Sequence, residues 1–168
     1  MPKLSRLIKH RLHDETDAKR ALSSVALDRI EARVNASERH HSGEIKVCVE
    51  ASLPLSYLWR DATARERAVT MFGKLRVWDT EANNGVLIYL LLAERHIDIV
   101  ADRGLNHQIT AAQWDTLLRD MSGAFKQGEF ESGLIAAVDA VDALLAQYFP
   151  VSAQAENRNE LPDRPTVF

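Results

Sequence analysis

A set of acidic, amide and hydroxyl side chains frames two apolar segments near the middle of the chain, and these residue types suit ligand chemistry. Residues 86–93 form one unbroken apolar segment, and residues 96–101 alternate between apolar and polar. Only residues 94 and 95 separate the two segments, and so short a link predicts two antiparallel strands joined as a hairpin. The polar residues lie directly before the first segment and directly after the second, apart from Glu44, which lies earlier in the chain. The full set is Glu44, Asp79, Thr80, Glu81, Asn83, Asn84, Asp102 and Arg103.

Strand direction predicts that these polar residues meet at one end of a sheet. Residues 44–50 read as a further strand, and a helix with a capping-box sequence starting at Thr63 follows it. Strand, helix and strand in this order predict a βαβ unit in which residues 44–50 and 85–92 run parallel. Parallel pairing then brings Glu44 to the start of the second strand, and antiparallel pairing brings Asp102 to the same end.

Oxygen-bearing side chains of this kind favour a hard cation. Calcium takes about six to eight oxygen ligands, whereas zinc prefers the Cys and His ligands that this set lacks. We therefore expect a calcium site at Asp79, Asn84, Asp102 and Glu44. The side chains of Thr80, Asn83 and Arg103 would contact a ligand at the same end.

Two other interpretations stay open from the residues alone. In a metal-assisted phosphatase, Asp79 and Asp102 would hold the metal, and His41 or Glu44 would act as the base. Alternatively, the dipeptide Asn84-Gly85 and the segment Asp102–Gly104 simply form turns. Neither a reliable nucleophile triad nor the phosphate-binding pattern GxxxxGK[ST] is found.

The composition is that of one soluble globular domain, with 168 residues, 46% hydrophobic and 27% charged. The single cysteine, Cys48, excludes an internal disulfide. Residues 1–40 hold nine Lys and Arg against six Asp and Glu, and the remainder holds 12 against 18. The chain after residue 40 is therefore acidic and lacks interleaved aromatic residues, which disfavours nucleic acid as a partner.

The first 13 residues are basic and carry leucine and isoleucine at helical spacing. We expect a helix that docks on the domain, with weak contact to a membrane surface through residues 3–12 as the alternative. No apolar segment reaches the roughly 20 residues of a membrane-spanning helix, and the amino terminus lacks the pattern of a secretory signal. These features predict a cytoplasmic protein.

Helical periodicity predicts further helices over residues 19–39, after the capping pattern at Thr110, and over residues 130–148, with Gly128 between the last two. Residues 51–60 read as a loop or a partner-contact segment, because Pro54 rules out a simple helix and the segment is unusually apolar. The chain therefore divides into a basic segment (1–18), a domain (19–150) and an extended polar tail (151–168).

Five segments together resemble the TPM domain family, which includes thylakoid-lumen phosphatase-like and photosystem-repair proteins. They are residues 41–45 (HSGEI), 68–75, 84–88 (NGVLI), 101–104 (ADRG) and 125–133, in the family's order over roughly residues 20–149. The resemblance implies an α/β/α sandwich of three layers around a small mixed sheet. It also implies an acidic site at a sheet end, with calcium binding in some members and weak acid phosphatase activity in others.

Carried over by position, the resemblance favours Asn84 and Asp102 in the site, with Asp79 and Glu44 as neighbours. The chain differs in having Asn-Asn where acidic residues are common, and it is similar to a short bacterial cytoplasmic branch without signal peptide or membrane anchor. The function expected from the resemblance is an accessory or ligand-binding domain that works with a protein partner in membrane-protein maintenance. A phosphomonoester hydrolase of low activity is the alternative.

Overall fold

The computed structural model describes residues 4–152 and 158–168. Residues 1–3 of the predicted basic segment and 153–157 of the predicted tail lie outside the described residues. The helices are α1 (Leu4–Arg11), α2 (Glu15–Ala21), α3 (Ser24–Ser37), α4 (Leu55–Trp59), α5 (Ala64–Lys74), α6 (Arg103–Asn106), α7 (Ala111–Gln127) and α8 (Phe130–Tyr148). The strands are β1 (Glu44–Glu50), β2 (Gly85–Leu91), β3 (His96–Ala101) and β4 (Thr166–Val167).

The four strands form one mixed sheet in the order β3-β2-β1-β4. β1 and β2 are parallel, with Glu44 opposite Gly85, and β2 and β3 are antiparallel, with Val86 opposite Ala101. The predicted parallel pair and the predicted hairpin are both confirmed. A short 3-10 turn, Leu92–Glu94, links the hairpin strands.

Helices cover both faces of this sheet, which confirms the predicted three-layer α/β/α sandwich. α3, α7 and α8 cover the face that carries Val86 and Ile88, and α5 covers the face that carries Leu87 and Tyr89. Because alternate residues of a strand point to opposite faces, β2 must be apolar throughout to be buried on both sides. That requirement explains its continuous apolar sequence.

β1 is more enclosed than its alternating sequence predicts. Alternation of this kind is typical of a strand with one face open to water, but all seven residues are buried, including Glu44, Lys46 and Glu50. The cause is the C-terminal segment 158–168, which lies on β1 and ends in β4. The ammonium group of Lys46 donates to the backbone carbonyls of Pro162 at 2.9 Å and Arg164 at 2.7 Å, which satisfies a cation inside the fold.

Two local predictions are wrong. The single helix predicted over residues 19–39 is divided into α2 and α3, since Leu22 is extended and the hydroxyl of Ser23 caps α3 by accepting from Ala26 N at 3.2 Å. Residues 51–60 contain α4 rather than only a loop. α4 begins directly after Pro54, where the missing N–H of proline costs no helical hydrogen bond.

Other local signals are confirmed. Thr63 and Thr110 both form capping boxes at the starts of α5 and α7, and Gly128 ends α7 with φ 83°. The predicted boundary between residues 18 and 19 falls inside α2, where Ala18 is fully buried. Within residues 4–152 and 158–168, no helix combines the length and apolarity that a membrane crossing requires.

Candidate functional site

The loop before β2 and the loop after β3 meet at one end of the sheet, as strand direction predicts. Asp102 N donates to the carbonyl of Gly85 at 2.9 Å, and Gly104 N donates to the carbonyl of Asn83 at 3.0 Å. The Arg103 guanidinium reaches Asn83 Oδ1 at 3.3 Å. A Cβ on Gly104 would lie 2.5 Å from the Asn83 carbonyl oxygen, so only glycine allows the two loops to approach this closely.

Asn84 is the most enclosed polar residue of this site. It is fully buried, its N–H donates to Thr80 Oγ1 at 3.1 Å, and its side-chain Nδ2 donates to Ser42 Oγ at 3.3 Å. Its Oδ1 is buried and has no hydrogen-bond donor among the described residues. Ser42, which the sequence patterns do not single out, therefore helps to hold the amide in place.

Asp102 has a similar asymmetry between its two carboxylate oxygens. It is 8% exposed, and Oδ1 accepts from Arg103 N at 2.7 Å, which caps the short helix α6. Oδ2 is buried and has no donor among residues 4–152 and 158–168. A buried acceptor without a partner costs about 1–3 kcal/mol, and more when it is charged, so this oxygen favours a positively charged or donating ligand.

Glu44 starts β1 at the same end of the sheet, but its carboxylate is directed to the C-terminal segment. It accepts hydrogen bonds from Glu160 N at 3.1 Å and Leu161 N at 3.3 Å. Burial raises the pKa of Glu44 to about 7, although these two backbone donors act against the rise. Burial, together with the nearby Glu44 and Asp163 charges, raises the pKa of Glu38 to about 8.

Asp79 and Glu81 lie on the surface of the loop before β2. The Asp79 carboxylate pairs with Arg76 at 2.6 Å and its side chain is 49% exposed. Glu81 is exposed as well, and its backbone N–H donates to the Glu160 carboxylate at 3.0 Å. The structure therefore unites Thr80, Asn83, Asn84, Asp102 and Arg103, whereas the carboxylates of Glu44 and Asp79 have partners elsewhere.

His41 is fully buried rather than open to a ligand. Its Nε2 lies 3.6 Å from Asp142 Oδ1, and burial lowers the pKa of the imidazole. Asp142 also accepts from Arg33 at 3.0 Å and lies 3.1 Å from His40 Nδ1. The sequence did contain a signal for this cluster, because Asp142 interrupts the apolar face of α8 and a buried acid requires a partner.

A cavity of about 620 Å³ lies along the edge strand β3, away from the sheet end described above. Arg65 bridges it by donating to Asp98 Oδ1 at 2.6 Å and to the carbonyl of Ile99, while Asp98 Oδ1 accepts from Ile99 N at 3.0 Å. The side chains of Arg65 and Asp98 thus hydrogen bond to the carbonyl and the N–H of Ile99, backbone groups that an edge strand otherwise leaves without partners. Trp114 of α7 forms part of the opposite wall. None of these residues was singled out from the sequence.

The donor set at the sheet end fits calcium in kind but not in number. Asn84 Oδ1 and Asp102 Oδ2 are hard oxygen ligands without other partners, whereas calcium sites usually combine several carboxylates. In the part of the chain that the structure describes, no three His, Cys, Asp or Glu side chains are grouped so as to hold a metal ion. A cation here would depend on water for most of its coordination.

Comparisons with known proteins agree with this fold. The chain is similar to the BA42 protein of the psychrophilic bacterium Bizionia argentinensis, with 28% identity over 88% of this chain and 95% of that one and a TM-score of 0.76. The N-terminal domain of a protein from P. gingivalis shares the fold, with 22% identity over 76% of this chain and 78% of that one and a TM-score of 0.61. No curated protein matches. The TPM domain model matches residues 16–144, and the chain belongs to the TPM domain family.

Proposed function

We propose that this TPM domain is a ligand-binding accessory domain that binds a hard divalent cation at the end of the sheet where β2 begins. Ca²⁺ is the cation that we propose. The observation that carries the proposal is the pair of buried acceptor oxygens without donors, Asn84 Oδ1 and Asp102 Oδ2. Asn84 directly precedes Gly85, to which Asp102 is hydrogen bonded, so both oxygens belong to one end of the β2–β3 hairpin.

The surrounding contacts give each residue a defined role. Thr80 and Ser42 fix the backbone and amide nitrogen of Asn84, and Arg103 N fixes one oxygen of Asp102. Asn84 therefore presents its amide oxygen, and Asp102 presents its second carboxylate oxygen, without having to reorganise. With a single carboxylate, affinity is expected at the weak end of calcium sites, in the millimolar range of about 10⁻⁴–10⁻³ M.

A melting-temperature titration with Ca²⁺ and Mg²⁺ tests this proposal. Binding to the folded state alone raises the Tm as the cation concentration passes the Kd. Asp102→Asn should abolish the rise, because it removes the charge while its remaining oxygen still caps α6. Asp79→Asn is the matched control and should leave the rise intact, since Asp79 pairs with Arg76 on the surface. A wild-type Tm that does not respond to either cation would refute the cation site.

The alternative is weak phosphomonoester hydrolysis at the same end of the sheet. The observation in its favour is Glu44, whose raised pKa of about 7 lies in the range in which a carboxyl group exchanges protons near neutral pH. Phosphate release that falls in both Glu44→Gln and Asp102→Asn would support a hydrolase. Release that is unchanged in both variants would identify a contaminating activity.

The wider role that we propose is support of membrane-protein maintenance in the cytoplasm through a protein partner. It rests on the family alone, and a pull-down with wild type and Asp102→Asn in the presence of Ca²⁺ tests it. Loss of a specific partner in the variant would link the site to that role. Capture of the same proteins by both would separate the site from partner binding.

A further inference from the structure

Two short helices at the end of the sheet where β1 finishes expose an unusual number of large apolar side chains. On α1 and just after it, Leu4, Ile8 and Leu12 are 72%, 53% and 72% exposed, and on α4 Leu55 and Trp59 are 68% and 78% exposed. Residues four apart share one face of a helix, so each helix presents an apolar stripe. We call these five residues the α1–α4 face.

The two stripes are neighbours in space. Leu4 and Ile8 of α1 and Leu55 of α4 line the same groove, whose volume is about 440 Å³. Trp59 lies one helical turn beyond Leu55 on α4. Leu4, Ile8 and Leu55 are therefore grouped around one groove, in contrast to the singly scattered apolar residues of an ordinary protein surface.

α1 packs on the domain through Leu7 and two polar side chains, Arg6 and His10, whereas Leu4 and Ile8 face outward. His10 is buried, with Nδ1 accepting from Leu53 N at 3.0 Å and Nε2 lying 2.9 Å from Glu94 Oε1. Arg6 donates to Glu94 at 2.7 Å and to Asp61 at 2.9 Å. These specific contacts fix the leucine and isoleucine stripe on the outside.

The charges around the face are predominantly positive. Lys9 and Arg11 of α1 are exposed, and Arg60 directly follows Trp59. The nearby acids Glu94 and Asp61 pair with Arg6, and Arg60 itself pairs with Glu66 at 2.8 Å, so Lys9 and Arg11 supply the positive charge beside the stripe. The body of the protein is acidic by contrast, so the cations are concentrated beside the apolar stripe.

We propose that the α1–α4 face binds the surface of an anionic lipid bilayer, with the apolar side chains entering the interfacial region and Lys9 and Arg11 meeting lipid phosphates. Interfacial helices combine an apolar stripe with Lys and Arg, and tryptophan is enriched at the boundary between lipid and water. The proposal is independent of the cation site.

Co-sedimentation of the whole protein with vesicles tests the face. The protein should sediment with vesicles of phosphatidylcholine and phosphatidylglycerol, should sediment far less with phosphatidylcholine alone, and should be released by high salt. Emission from Trp59, isolated by comparison with Trp59→Phe, should shift to shorter wavelength on binding. Absence of sedimentation, or equal sedimentation with both kinds of vesicle, would overturn the proposal.

Three variants locate the contact. Ile8→Ser combined with Leu55→Ser should abolish sedimentation, and Lys9→Gln combined with Arg11→Gln should weaken vesicle binding roughly 25-fold, about fivefold for each cation. Val69→Ser is the matched control, since Val69 is 51% exposed on α5, outside the face. All of these positions are exposed, so a circular dichroism spectrum identical to wild type is expected. If Ile8→Ser with Leu55→Ser instead converts a dimer to a monomer and leaves sedimentation unchanged, the face is a self-association surface and the lipid proposal is wrong.

Discussion

Arg67 of α5 and Glu50 at the end of β1 form a buried ion pair in which the guanidinium binds both carboxylate oxygens, with Nε 2.9 Å from Oε2 and Nη2 2.5 Å from Oε1. Tyr89 of β2 donates its hydroxyl to the same carboxylate at 2.6 Å. The charge of Glu50 is thus satisfied from a helix and a neighbouring strand. The three residues fix α5 to one face of the sheet.

Arg67→Met is expected to destabilise the protein by about 3–5 kcal/mol, because it leaves Glu50 buried without its cation. Urea unfolding of the variant measures the loss. Arg60→Met is the control, since the Arg60–Glu66 pair is exposed and pairs of that kind contribute about 0–1 kcal/mol. Equal losses in the two variants would show that burial does not distinguish the pairs.

Stability should fall as the pH rises towards 8, because Glu38 and Glu44 bind protons more tightly in the folded protein. Their pKa values rise from 4.5 to about 8 and about 7, so the folded chain carries extra protons between pH 4.5 and 8. The free energy of unfolding then decreases with pH across this window. The charged groups beside the pair are the carboxylates of Asp163 and Glu160.

Thermal unfolding at pH 6.5 and pH 9 measures this loss. Glu38→Gln should flatten the decrease and raise the Tm at pH 9, since the amide carries no charge at either pH. Glu131→Gln is the control, because Glu131 pairs with Arg29 on the surface, away from the C-terminal segment. A wild-type Tm that is constant or increases over this range contradicts the prediction.

The imidazole of His41 should remain neutral at pH 6.5, since burial lowers its pKa below that value. The folded state binds the proton less tightly than the unfolded state, so the stabilisation is present above pH 6.5 and is lost as the pH falls. An NMR titration of the imidazole signals measures the midpoint. Asp142→Asn should lower that midpoint further, because the negative charge of Asp142 raises the pKa of His41. A higher midpoint in the variant would show that Asp142 does not act through its charge.

Gly85→Ala is expected to destabilise the protein by about 2–4 kcal/mol and to disturb the candidate site. A Cβ at this position would lie 2.0 Å from the carbonyl oxygen of Val77, so the backbone on one side has to move. Gly123→Ala on α7 is the control, because a Cβ there meets no atom within 4 Å. That change should stabilise the helix by about 0.5–1 kcal/mol. Urea unfolding measures the change in the free energy of unfolding for each variant. Changes of the same sign in both variants would contradict the steric explanation.

Much of the architecture was predictable because it depends on local patterns. The capping boxes at Thr63 and Thr110 locate helix starts, and the two apolar segments with their short link define the hairpin and its register. The division of residues 19–39 into two helices was not predictable from periodicity alone. The helical spacing of apolar residues passes through Leu22 without a break, and only the cap formed by Ser23 marks the second start.

The sequence by itself determined the sheet order of β1, β2 and β3 and the end at which Asn84 and Asp102 meet, because strand direction follows from connection length and side-chain alternation. It did not determine which carboxylates face a ligand. That outcome depends on contacts between residues more than 100 positions apart, such as Glu44 with Leu161 and His40 with Asp142. Only the tertiary structure places the C-terminal segment over β1, where it satisfies Glu44, whereas Asn84 Oδ1 and Asp102 Oδ2 find no donor in the part of the chain that the structure describes.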